Sequence, residues 1–123
     1  MLEQFFIASL LVQLLHSIEE LTTGFHKKWY LFKMPFWAFL SFELAFSAFW
    51  IFVLFSPELP HREGLQTFFI FLMLANGLQH IIWAVVVKKY VPGFITAFGH
   101  LAVSLVFAFI LSTLNFSHVQ IPS

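Results

Sequence analysis

A chain of 123 residues that is 60% hydrophobic, 20% aromatic and 10% charged carries more apolar surface than one small aqueous core can hide. Its formal net charge is zero and it has no basic stripe, which excludes nucleic acid as a partner. Cysteine is absent, which excludes disulfides, thiolate metal ligands and a cysteine nucleophile.

Crossing about 30 Å of hydrocarbon takes roughly 20 apolar residues. The chain offers four such runs, near 3–22, 35–55, 65–87 and 93–114. The first carries Glu3 and no Lys or Arg, is interrupted by Gln13 and His16, and is not followed by a small-residue cleavage site. It reads as a retained helix and not a signal peptide. The connection from Gly24 to Lys33 is basic, and Trp29 and Tyr30 within it, with Trp37 beyond, suit a headgroup belt. Pro35 stands where the second helix begins. The connection from Ser56 to Gly64 is rich in turn residues, with Arg62 outweighed by Glu58 and Glu63. Lys88 and Lys89 close the third helix, and Pro92 opens the fourth. Near the end, Asn115-Phe116-Ser117 has the form of a glycosylation sequon but lies too close to the membrane edge to count.

Lys27, Lys28, Lys33, Lys88 and Lys89 put all but one of the 6 Lys and Arg residues in the first and third connections. The positive-inside rule places those connections in the cytoplasm and both termini on the outer side. The expected architecture is all-α, a single-domain four-helix up-down bundle integral to the membrane, with the plasma membrane as its location.

Ionisable residues inside the spans are Glu19, Glu20, Glu43, His16, His80 and His100, with no Lys or Arg among them. An ionised acid at mid-helix costs about 2.5–3.5 kcal/mol on insertion scales, so Glu43 needs a proton, a protonated His or a metal as partner. His16 and His80 lie about 10 Å before the cytoplasmic ends of the first and third helices by helical rise, and Glu43 and His100 lie about as deep in the second and fourth. One ionisable residue per helix thus falls in one layer, and in an up-down bundle such residues face each other. His16, Glu19 and Glu20 share a face, with Gln13 one turn deeper. Asn76 lies one turn from His80, Ser47 one turn from Glu43, and Thr96 and Ser104 one turn either side of His100. Imidazole and carboxylate ligands without thiolate suit zinc or iron.

The run His16-Ser17-Ile18-Glu19-Glu20 resembles the signature of the HXXEE family, small membrane proteins named for that motif. His80 resembles the family's downstream His, and Tyr90-Val91-Pro92-Gly93 its Tyr-x-Pro-Gly element. The resemblance covers most of the chain in the expected order and adds Tyr90, at the cytoplasmic mouth, as a catalytic candidate. The family is defined by sequence and not by reaction.

The leading expectation is a membrane enzyme that uses a divalent metal, zinc or iron, against a lipid-like substrate. His16, Glu19, Glu43, His80 and His100 are the expected ligands, Glu20 a base or further ligand, and Asn76 and Gln13 further polar site residues. A metal-free acid–base isomerase, a proton or metal-ion transporter and a structural subunit are the alternatives. Membrane lipid and a lipid-like substrate are the expected partners.

Overall fold

In the computed structural model, the described backbone covers residues 1–119 and the described side chains end at Asn115, so the remainder of the sequon lies outside them. The described secondary structure is all-helical: α1 (Leu2–Thr23), α2 (Phe25–Lys28), α3 (Phe36–Leu54), α4 (Arg62–Val87) and α5 (Phe94–Val119). Among the described residues, four stretches are long and apolar enough to cross a membrane: α1, α3, α4 and α5 from Phe94 to Asn115.

Local chemistry sets the helix ends. Gly24, at φ 83°, closes α1 in the left-handed region and returns its N–H to the Glu20 carbonyl. The basic connection then holds a short helix, α2, in which Phe25 is buried. Pro35 caps α3 from one residue outside it, and Pro92 lies in the turn before α5 instead of opening that helix. Helix α5, the fourth of the expected spans, continues past the expected end at 114 to Val119. At the opposite end of the bundle, α4 begins at Arg62, three residues before the expected 65. Arg62 donates to the Val53 and Leu54 carbonyls at the C-terminus of α3 and pairs with Glu3 at 2.6 Å.

The broadest interfaces join α4 to α5 and α5 to α1, while α3 packs mainly on α1. Small residues permit the close approach. A Cβ on Gly77 would lie 2.9 Å from the Ala97 carbonyl oxygen, and one on Gly99 3.0 Å from Val12 Cγ1. Backbone proximity of this kind replaces the hydrophobic drive that helices lack in lipid. One buried apolar cluster, including Phe6, Leu10, Trp50, Phe69, Ile70 and Phe107, fills the half of the bundle near Arg62. A second, of Phe25, Phe39, Trp83, Ala84 and Val91, closes the other end. Between them lies a buried polar layer of Gln13, His16, Ser17, Glu20, Glu43, His80 and His100.

Candidate functional site

Gln13, His16, Ser17 and Glu20 form the buried stripe of α1. On α4, His80 reaches the same layer and is 0% exposed, like His16. The two imidazoles meet through Nε2 atoms 3.2 Å apart. Glu20 closes the triangle, with Oε1 3.3 Å from His16 Nε2 and Oε2 3.4 Å from His80 Nε2. These three buried residues each offer one ligand atom within 4.8 Å of the others, a group that could hold a metal ion.

The start of α5 fixes how His16 presents itself. The Ile95 and Thr96 N–H groups donate to Glu19 at 3.1 and 2.9 Å, so a carboxylate from α1 caps α5 at its positive end. The Thr96 hydroxyl donates to Glu19 Oε1 at 2.7 Å, which leaves its oxygen to accept from His16 Nδ1 at 2.7 Å. This chain assigns the proton to His16 Nδ1 and turns the Nε2 lone pair towards Glu20 and His80. His80 Nδ1 is buried without a well-formed partner, with the Pro92 carbonyl as the neighbouring backbone acceptor.

Gly93 covers both rings. At φ 90° it occupies the left-handed region, and a Cβ there would stand 2.6 Å from His80 Cε1 and 2.7 Å from His16 Cε1. The turn can lie on the histidine pair only because it carries no side chain at this point. Tyr90, at its start, donates to Glu19 Oε2 at 2.5 Å. Burial and the bond to Glu19 hold the Tyr90 phenol above its ordinary range, so it stays protonated at neutral pH.

A second polar chain crosses the layer. His100 Nε2 bonds Gln13 Oε1 at 3.0 Å, Gln13 Nε2 donates to Ser17 Oγ at 3.3 Å, and Ser17 donates in turn to Glu43 Oε2. Beside it lies a cavity of about 660 Å³, bounded by Gln13 and Glu20 on α1, Phe39, Phe42, Glu43 and Phe46 on α3, and Met73, Ala75, Asn76 and Gln79 on α4.

Residues 7–109 match the family model described as "Protein of unknown function with HXXEE motif". The chain belongs to the HXXEE family. No curated protein and no solved structure matches it. The match spans the His16-to-Glu20 motif, His80 and the Tyr90-to-Gly93 turn, all of which the fold brings to one place.

The two motif glutamates divide the work. Counted at about 100° per residue, Glu19 and Glu20 lie about 60° and about 40° to opposite sides of His16. Glu20 therefore faces the cavity and His80, while Glu19 faces α5. Glu19, expected among the ligands, lies outside the three-residue group because its carboxylate is taken up by α5 and Tyr90. Glu43 and His100, also expected as ligands, lie outside the group and join the layer through Ser17 and Gln13. Asn76 lines the cavity and accepts from Gln79 at 3.1 Å, with no bond to His80. Tyr90 reaches Glu19 and not the histidines. Trp29 and Tyr30, read as headgroup anchors, both donate to Gln79 Oε1, at 3.4 and 2.8 Å. The functions of Ser17, Gln79 and Gly93 were not visible in the sequence. Only Gly93 carried a signal, its place in the Tyr-x-Pro-Gly element.

Proposed function

We propose that this member of the HXXEE family is a membrane-embedded enzyme in which His16, Glu20 and His80 hold one divalent metal beside a cavity for a lipid-like substrate. The observation that carries this reading is the convergence of two buried imidazole nitrogens and a buried carboxylate on one point. His16 Nε2 and His80 Nε2 stand 3.2 Å apart with Glu20 against both, so one cation could be shared among the three, and no Lys or Arg lies in the layer. The donor set suits zinc or iron, and three protein ligands leave a position open for chemistry. A divalent ion held there would supply Lewis-acid activation of water or, if iron, of oxygen. Glu19 and Thr96 would orient His16 as an outer shell. The Phe25–Phe39–Trp83 cluster and Gly93 would keep water from the site on the side of α2.

In our reading the chain is one domain, an up-down bundle of the plasma membrane with both termini outside. The basic first and third connections would then lie in the cytoplasm, with the site in the inner half of the bilayer. Transport is the less favoured reading, because the buried cluster around Phe6, Trp50 and Phe107 fills the path that an ion would take towards the other face.

Elemental analysis of the purified protein tests the proposal. One equivalent of zinc or iron per chain is expected, falling to background in Glu20→Gln and His80→Ala variants that keep their helical circular dichroism. A wild-type protein without metal, or metal retained by both variants, refutes it.

A further inference from the structure

We propose that the cavity between α3 and α4 takes a single-chain amphiphile whose head donates hydrogen bonds, a long-chain alcohol or amine, and rejects anionic amphiphiles. This deepens the enzyme reading and rests on it only in treating the occupant as a substrate. The cavity, at about 660 Å³, has the size of a drug-like or single-lipid site. Its mouth faces lipid, since Phe42 and Ala75, from the two helices that bound it, are both exposed on the bundle surface. Its floor holds two carboxylates, Glu20 and Glu43, each about 95% buried, at 4% and 5% exposure.

The two acids and the lack of a basic partner in the lining select the head group. Glu43 accepts from Ser17 through Oε2 alone, so among the described residues Oε1 has no partner. Among the donors nearby, the Trp29 N–H and Tyr30 hydroxyl both go to Gln79 and one Gln79 N–H goes to Asn76, whereas the Asn76 amide nitrogen has no bond among the described residues. Only neutral amide donors therefore remain beside the two acids, and no Lys or Arg lines the cavity to meet a negative charge. A buried acceptor without a donor is costly, and a buried anion with no basic partner costs more. A hydroxyl or ammonium head relieves both, and the ring faces of Phe39, Phe42 and Phe46 suit its chain.

The test uses chelator-treated full-length protein in detergent, titrated with hexadecanol, hexadecylamine or palmitate and read by native mass spectrometry. The alcohol, the amine or both should bind about tenfold more tightly than palmitate, equivalent to ~1.4 kcal/mol. The comparison of the two donors shows whether the head is neutral or cationic. Glu43→Gln should narrow the preference, and Ala75→Trp, which fills the mouth, should weaken all binding while leaving the helical circular dichroism intact. Palmitate binding as well as the donors, a preference unchanged in Glu43→Gln, or no binding of any probe overturns the proposal. Because the metal has been removed, these results stand whether or not the metal reading fails.

Discussion

Thr96 is the residue whose function is most easily isolated, since its hydroxyl stands between His16 Nδ1 and Glu19 while its backbone N–H independently binds the same carboxylate. Thr96→Val keeps the shape and the backbone bond but removes the acceptor for His16. The imidazole then loses the partner that fixes its tautomer, and outer-shell losses of this kind weaken metal binding by about 10–100-fold. Competition with a chromophoric chelator should show that loss with little change in thermal unfolding. Unchanged affinity would mean that Thr96 only caps α5. Glu19 is the less clean target, because its removal also strips the first turn of α5 and the Tyr90 hydroxyl of their acceptor.

At the scale of elements, the turn from Lys88 to Gly93 acts as a lid over the two histidines. Gly93→Ala should be destructive for two separate reasons, the left-handed backbone and the contact with both rings. The strain alone is worth about 1–3 kcal/mol. The variant should lose thermal stability and metal together, whereas an Ala at Gly64, where a Cβ meets nothing, should leave both unchanged. Equal behaviour of the two variants would contradict the lid. The helices themselves were legible in the sequence, because a run of apolar residues long enough to cross a bilayer is a strong signal. The common depth of His16, Glu43, His80 and His100 was legible too, by counting from the basic turns. Which glutamate faces His80 was not, because Glu19 and Glu20 flank His16 and only the packing of α4 and α5 against α1 decides between them. For the same reason α2 was missed: its apolar content is one residue, Phe25, whose burial depends on Phe39 and Trp83 from distant parts of the chain.

For the molecule as a whole, the basic turns and the buried layer lie at the same end of the bundle, so the side of the membrane they face fixes from which leaflet a substrate would come. The natural chain has no cysteine, so single replacements report topology without background. In intact cells a membrane-impermeant maleimide should label Glu58→Cys and should reach Lys89→Cys only after permeabilisation. The opposite pattern would invert the orientation and move the site to the outer leaflet.

The central claim is that His16, Glu20 and His80 meet on one metal ion. X-ray absorption at the edge of the bound metal tests this most directly. The account predicts a nitrogen and oxygen shell with the multiple-scattering signature of two imidazoles, preserved in Glu43→Gln and lost in His80→Ala. A shell without imidazole, or one that changes in Glu43→Gln and survives in His80→Ala, would contradict it.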